Sequence, residues 1–445
     1  MQDIKSITLA AGNGTRMKSS TPKPLHKIAG ISILDLSCKC LEGLSKEKIL
    51  IGSDDLIKCD PSLSNKFTVV IQENKLGTGH AVLQCMDKIQ DNINIIINYG
   101  DTPFVKPETI QKMIEKLQNF DCIFLGFDVS DITQKYGRFI VYPEHTTGYN
   151  RLIDIVEYKD ADENIKKTSL CNSGIVVVKS EILKKSIMKV TNNNIAKEYY
   201  LTDIVKIINA SGGQCGYIKC HEFEVMGVNS RIDLSDAENY YQKILRNKHM
   251  ENGVTLLNPK SVYFSHDTVI KGDVVIEDNI HFGLGVTVQG GTLIKSFSYL
   301  ENCKIGNNCI IGPFARIRPN TELQNNVHIG NFVEVKNSQI NEGTKINHLS
   351  YIGDAKIGET TNIGAGTITA NYDGFEKHQT IIGKNVSIGA GTLIVAPSKI
   401  GDGAMTAAGS VVTAKEVQEN SLCISRPEER IIPGYAERYR KKKKK

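Results

Sequence analysis

The chain has 445 residues, 40% hydrophobic and 23% charged, the composition of a soluble globular protein long enough for two or three domains. Its formal net charge is +5, but Lys441–Lys445 account for all of it. The body is therefore near neutral and gives no sign of a nucleic-acid groove, and the lysine run reads as a solvated, disordered end. Eleven cysteines, with no C-x-x-C pair and no zinc spacing, exclude a disulfide framework and fit reduced thiols in the cytoplasm. No stretch reaches the ~18 apolar residues of a membrane helix, and "MQDIKSITLAAGNG" lacks the charged segment and long apolar run of a signal peptide.

In chain order, short runs rich in Ile and Val ("SITLA", "KILIG", "TVVIQ", "NIIINYG", "CIFLGF") alternate with amphipathic segments up to about residue 228. Among the latter, residues 107–119 open on Pro107 and place Ile110, Met113, Ile114 and Leu117 on one face of a helix. Strands alternating with helices predict a mostly parallel, doubly wound α/β sheet over 1–228. Residues 229–252 read as a helical linker, with Ser230 and Asp233 as a cap and Ala237, Tyr241, Ile244 and Leu245 as an apolar stripe.

Over 253–445 the period changes to six. Ile305, Ile311, Ile317, Leu323, Ile329 and Val335 form one unbroken set, and Ile382, Ile388, Ile394, Ile400, Thr406 and Val412 form another. Such hexapeptide repeats predict a parallel β-helix whose aliphatics point inward and stack. Cys303 and Cys309 fall in equivalent small-residue slots of its core. Around His348 the beat shortens: Val335 to Ile340 and Ile352 to Ile357 are five-residue steps, expected to turn the coil and aim His348 and Tyr351.

"LAAGNGTRM" (9–17) follows the first strand. Gly12 and Gly14 let backbone N–H groups approach a phosphate, and Arg16 and Lys23 add two cations. Such a pairing suits a triphosphate and a leaving pyrophosphate. Asp101 sits just past "NIIINY", at the edge where doubly wound sheets bind ligands. It can serve as a hard oxygen ligand for Mg²⁺ or as a turn or cap aspartate.

At this point a resemblance enters. "LAAG-x-GTRM…PK" is similar to the signature of the sugar-nucleotide pyrophosphorylases, and "QENKLGTGHA" (72–81) and "YGDTP" (99–103) narrow it to the N-acetylglucosamine-1-phosphate uridyltransferases. "YGR" (136–138), "IVEYKDA" (155–161), "CNSG" (171–174) and "GVNSR" (227–231) follow in the same order. With the hexapeptide half, the whole chain resembles the bifunctional uridyltransferase/glucosamine-1-phosphate acetyltransferases. This resemblance implies an α/β Rossmann-like nucleotidyltransferase domain followed by a left-handed parallel β-helix. By it, Leu9, Ala10, Gly12, Arg16, Lys23, Gln72, Gly77 and Thr78 hold the uridine nucleotide, with Arg16 and Lys23 catalytic. Gly137, Glu157, Asn172 and Asn229 hold the sugar, and Asp101 and Asn229 hold Mg²⁺. Asn13 departs from the many relatives with lysine or another polar residue there, which removes a possible cation.

In the β-helix the polar exceptions suggest chemistry. Arg318 and Lys336 are 18 residues apart, one triangular coil, so they should stack and grip a phosphate monoester. His348 and Tyr351 follow at a distance that could bring them near, and a neutral imidazole can deprotonate an ammonium nucleophile. Taken alone, His348 reads equally as a surface or turn residue. The resemblance implies that His348 is the base, Glu334 assists it, and Arg318, Lys336, Tyr351 and Asn362 bind glucosamine 1-phosphate. It further implies that Ala365, Asn371, Tyr372, Ala390, Ala408 and Arg426 contact acetyl-CoA. Ala390 stands where several relatives have serine, so one hydrogen bond worth about 1 kcal/mol is missing. "ANYDGFEKHQT" (370–380) should project as a loop whose Lys377 reaches a neighbouring subunit, because the resemblance implies homotrimers with acetyl sites at the interfaces. The co-substrates would be UTP and acetyl-CoA, with N-acetylglucosamine 1-phosphate as intermediate and UDP-N-acetylglucosamine as product, in the cytoplasm. Two rivals are a one-site pyrophosphorylase with a scaffold β-helix and a non-catalytic assembly subunit. The first has no need of His348, Tyr351, Asn371 and Tyr372, and the second none of Arg16, Lys23, Asp101 and Asn229.

Overall fold

The structure, a computed structural model, describes residues 3–142, 150–413, 415–426 and 428–443. Lys444 and Lys445 of the lysine run lie outside the described residues. The chain divides into two compact units, Met1–Tyr241 and Gln242–Lys445. No described helix is long and apolar enough to cross a membrane.

The main sheet of the first unit has nine strands among the described residues: β1 (Ile4–Leu9), β2 (Glu47–Gly52), β3 (Thr68–Ile71), β4 (Asn94–Tyr99), β5 (Cys122–Asp128), β6 (Arg138–Val141), β7 (Leu152–Val156), β8 (Leu170–Lys179) and β9 (Cys215–Cys220). Their order is β9-β5-β8-β4-β1-β2-β3, with β6 joining β8 to β7. Pairing is parallel except that β8 runs antiparallel to β4, β5 and β6, and β6 antiparallel to β7. The continuous apolar run of β4 is explained by burial on both faces. Ile95 and Ile97 pack with Leu183 and Ile204 on one side, while Ile96 packs with Ile110 and Met113 of helix α1 (Pro107–Lys116) on the other. The predicted Pro-initiated helix and its apolar face are thus present.

Helix α2 (Arg231–Glu251) starts with the expected reciprocal cap. Asp233 N–H donates to Ser230 Oγ at 3.2 Å, and Asp233 Oδ2 accepts from the N–H groups of Asn229 and Ser230 at 2.9 and 2.8 Å. The expected stripe needs one correction. Ala237 and Leu245 are buried, but Ile244 is 41% exposed. Gln242 is buried in its place because its amide satisfies both backbone groups of Phe264, donating to O at 2.7 Å and accepting from N at 2.9 Å. An aliphatic side chain could not do that.

The second unit is a left-handed parallel β-helix whose three faces hold ten, nine and nine short strands among the described residues. Each strand pairs with its equivalent one coil away, as in Arg316↔Glu334 and Glu334↔Tyr351. The aliphatics of both hexad sets are buried, as are Cys303 and Cys309. Asparagine recurs at the corners with positive φ, at Asn308, Asn320, Asn326 and Asn385 among others, because it tolerates the left-handed region better than other side chains with a Cβ.

Two expectations change here. The five-residue steps lie between the second and third faces, entering the strands Gln339–Ile340 and Ala355–Ile357. His348 instead ends a first-face strand, Lys345–His348. A similar short step occurs at the same corner from Leu300 to Ile305, well before His348, so the shortened steps recur away from His348 and lie at a different corner from it. The described part of the lysine run is solvated as expected but helical. Lys441–Lys443 close the helix Tyr435–Lys443, where Lys441 pairs with Glu437 one turn back at 2.7 Å.

Candidate active sites

The loop after β1, the end of β4 and the loop after β3 enclose a cavity of about 290 Å³ in the first unit. Leu9, Ala10, Gly12, Lys23, Gln72, Gly77, Thr78 and Asp101 all line it, so eight predicted residues from distant segments meet there. Gly14 has φ 55°, and a Cβ there would lie 2.8 Å from Lys23 Cβ. Glycine therefore lets Lys23 close against the loop. A Cβ on Gly12 would meet nothing within 4 Å, which leaves room for a ligand. Arg16 is exposed on the short helix Thr15–Met17.

Lys23 Nζ donates to Asp101 Oδ2 at 2.5 Å and to Asn229 Oδ1 at 3.0 Å. Two oxygens, one carboxylate and one amide, thus converge on a single cation. No group of three or more His, Cys, Asp or Glu able to hold a metal occurs among the described residues. A carboxylate and an amide oxygen nevertheless fit Mg²⁺, which keeps waters and substrate phosphates in its remaining positions.

Beside this lies a second constellation. Asn172 N–H donates to Gly137 O at 2.8 Å, and a Cβ on Gly137 would come within 3.3 Å of Glu157 Oε2. Glu157 accepts from Thr202 Oγ1 at 3.1 Å. Burial raises its carboxyl above the ordinary range, against the Thr202 bond and with help from Asp203 and Asp160. Arg138, which follows Gly137, is wholly buried. It donates to the carbonyls of Tyr136, Ile132 and Gln134, fixing the "YGR" turn.

In the β-helix, one corner stacks four of the six predicted acetyl-CoA residues, Asn371 and Tyr372 lying instead in the projecting loop. Gly366 N–H donates to His348 O at 3.1 Å, Gly391 N–H to Ala365 O at 2.7 Å, and Gly409 N–H to Ala390 O at 2.7 Å. A Cβ on Gly389 would lie 2.5 Å from Ala408 N, and one on Gly409 would lie 3.8 Å from Arg426 Cδ. His348 therefore heads a column that runs past Ala365, Ala390 and Ala408 to Arg426. Asn362 stands apart on the first face, paired with Lys345 and Ser387.

The side chains expected to act with His348 divide into two groups. His348 Nδ1 faces Asn331 Oδ1 at 2.9 Å. Glu334 accepts from Arg318 at 2.7 Å and lies 3.7 Å from Arg316. Arg318 and Lys336 are brought to the same corner, together with Lys377. The Lys377 ammonium holds the Lys336 ammonium below the usual lysine range, and desolvation and Arg318 add to this. Three clustered cations make an anion site. Lys377 thus lies beside Lys336 of its own chain, where reach to a neighbouring subunit was expected. The loop folds back through the Tyr372↔Lys377 bridge and the Asp373 turn, whose carboxylate accepts from Phe375 and Glu376 N–H at 2.8 Å. It projects as expected, with Phe375 93% and Tyr372 61% exposed. Asn371 is buried and donates to Asp354, and Tyr351 OH would lie 2.5 Å from a Cβ on Gly353.

Three residues at these sites were not found from sequence. Tyr99 packs its ring where a Cβ on Gly174 would sit, 2.5 Å away, and the "YGD" motif could have flagged it. Asp354 accepts from both Asn337 and Asn371. Asn331 stands 17 residues before His348, a spacing that the coil register could have revealed.

Residues 6–145 match the family described as MobA-like NTP transferase domain, and residues 299–421 match the GMPPB C-terminal domain. The "Bifunctional protein GlmU" of Bartonella quintana is 43% identical over 99% of this chain and 98% of its own. That of Paramagnetospirillum magneticum is 42% identical over 98% and 96%, and that of Paracoccus denitrificans is 42% identical over 98% and 96%. At such identity over nearly its whole length, the chain belongs to the GlmU family and is a bifunctional transferase, a nucleotidyltransferase in its first half and an acyltransferase of the hexapeptide-repeat kind in its second.

Proposed function

We propose that the chain makes UDP-N-acetylglucosamine in the cytoplasm, for cell-wall and lipopolysaccharide precursors, by two reactions at two separate sites. The second unit transfers the acetyl group of acetyl-CoA to glucosamine 1-phosphate. The first unit then joins N-acetylglucosamine 1-phosphate to the uridylyl group of UTP and releases pyrophosphate. One observation carries this reading: each compact unit holds its own cation-bearing polar site, Lys23–Asp101–Asn229 in one and Arg318–Lys336–Lys377 in the other.

In acetyl transfer, Asn331 Oδ1 accepts from His348 Nδ1–H, which leaves Nε2 unprotonated and able to take a proton. Nε2 receives the proton of the sugar ammonium, the freed amine attacks the thioester carbonyl, and the C–S bond breaks as the thiolate takes up a proton. Arg318, Lys336 and Lys377 hold the sugar's phosphate, and Glu334 keeps Arg318 in place. Acetyl-CoA lies along the Ala365–Ala390–Ala408 column.

In uridylyl transfer, a phosphate oxygen of the sugar phosphate attacks the α-phosphate of UTP without a covalent protein intermediate. Gly12, Gly14 and Arg16 cradle the phosphates, while Glu157 and Asn172 orient the sugar. Asp101 and Asn229 would hold Mg²⁺, which supplies neutralisation of charge on the phosphates. Lys23, shared between those two oxygens, would be free to turn to the phosphates if Mg²⁺ took its place there. The stacked, exposed rings of Phe297, Phe314 and Phe332, 5.0 Å apart, support assembly of copies through the β-helix, as a homotrimer.

The test is a two-assay comparison of wild type, His348→Ala and Asp101→Ala. His348→Ala should lose CoA release by about 10²-fold or more and keep pyrophosphate release, with Asp101→Ala doing the reverse. A wild type that releases no CoA from acetyl-CoA and glucosamine 1-phosphate ends the bifunctional reading.

A further inference from the structure

We propose that Lys75 grips the polyphosphate of the nucleotide, supplying at the glycine loop the cation that Asn13 does not carry. This rests on the reading that the first-unit cavity takes a nucleoside triphosphate.

Lys75 sits at the tip of a short loop pinned at both ends. Gln72 Nε2 donates to Gly77 O at 3.2 Å, and Tyr199 N–H donates to Leu76 O at 2.8 Å. Gly77 adopts φ 114°, where a Cβ would lie 2.5 Å from Tyr199 O, so glycine permits the close seating of this loop. The stem of Lys75 is therefore fixed while its side chain spans to the other wall of the cavity. There its ammonium donates to the side-chain oxygen of Asn13, 62 positions away in sequence. Lys75 lines the same cavity as Gly12 and Asp101.

The charges decide what that ammonium can do. Lys23 rests on Asp101 and Asn229, its charge offset by the Asp101 carboxylate. Lys75 faces a neutral amide, and no carboxylate lies within ion-pair distance of it among the described residues. An ammonium held by an amide beside open backbone at Gly12 gains by exchanging the amide for phosphate oxygens, since charge-assisted hydrogen bonds are roughly twice as strong as neutral ones. Asn13 keeps Lys75 poised over the loop until the nucleotide arrives. The sugar-side residues Glu157 and Asn172 belong to the other constellation, so Lys75 acts on the nucleotide alone.

The experiment measures equilibrium binding of UTP, UMP and pyrophosphate to wild type, Lys75→Gln, Lys75→Arg and the double variant Asn13→Lys/Lys75→Gln, with thermal melts to verify folding. Lys75→Gln should weaken UTP and pyrophosphate about tenfold and UMP about threefold or less, with Lys75→Arg close to wild type. The double variant, which moves the cation from one wall to the other, should recover most of the loss. In steady-state assays the KM for UTP should rise while that for N-acetylglucosamine 1-phosphate stays within about twofold. Unchanged UTP affinity in Lys75→Gln, or a double variant no better than Lys75→Gln, overturns the proposal. A wild type that binds UTP but releases no pyrophosphate with the sugar phosphate overturns the uridylyl-transfer reading instead, and the binding series still decides the role of Lys75.

Discussion

The two units assemble their sites by opposite routes. In the first, Lys23 meets Asn229 across 206 positions of sequence and Asp101 across 78. A mixed sheet with helices on both faces is needed to bring them together. In the second, His348 meets Asn331 across 17 positions and Arg318 meets Glu334 across 16, because each coil of the β-helix lies directly on the last. One fold gathers remote residues around a cavity. The other repeats a short unit and lets register place neighbours. The first kind of site can converge oxygens on a single ion, while the second offers a corner along which an extended cofactor can lie.

Metal removal should separate the units most sharply. Chelation of divalent cations should abolish pyrophosphate release and leave CoA release unchanged, because the oxygen pair suited to Mg²⁺ belongs to the first unit alone. Equal loss in both assays would break the comparison. Replacing Asn331 by Ala should lower kcat for acetyl transfer about tenfold by freeing the His348 tautomer. Asn331→Asp, which keeps an acceptor facing Nδ1, should recover part of the rate, and pyrophosphate release should stay at the wild-type level in both. A merely structural Asn331 would show no such rescue. The smallest effect is expected at the corner column. Ala390→Ser restores a hydroxyl beside the Ala365–Ala408 stack and should lower the KM for acetyl-CoA about fivefold, the equivalent of about 1 kcal/mol. An unchanged or higher KM would show that the cofactor does not reach that coil.

The same contrast governs what could be read from the sequence. The strands of the first unit were legible because Ile and Val cluster in runs, and the hexads because a period of six leaves little freedom. The meeting of Lys23, Asp101 and Asn229 was not legible from spacing, since nothing local links those positions; only motif resemblance proposed it. In the β-helix the stacking of Arg318 on Lys336 followed from the coil length, yet Asn331 was overlooked although the same arithmetic points to it. Ile244 was misplaced because helical periodicity ranks aliphatics above amides, whereas Gln242 is buried for its two hydrogen bonds to Phe264. The short steps flank His348 in sequence but not in the coil. The full register assigns them to another corner.

Mixing the two single-site variants tests the central claim, that one chain carries two independent sites. Given glucosamine 1-phosphate, acetyl-CoA, UTP and Mg²⁺, neither His348→Ala nor Asp101→Ala alone should form UDP-N-acetylglucosamine. An equal mixture should form it, because N-acetylglucosamine 1-phosphate made by Asp101→Ala can diffuse to the intact uridylyl site of His348→Ala. A mixture as inactive as either variant would contradict the account.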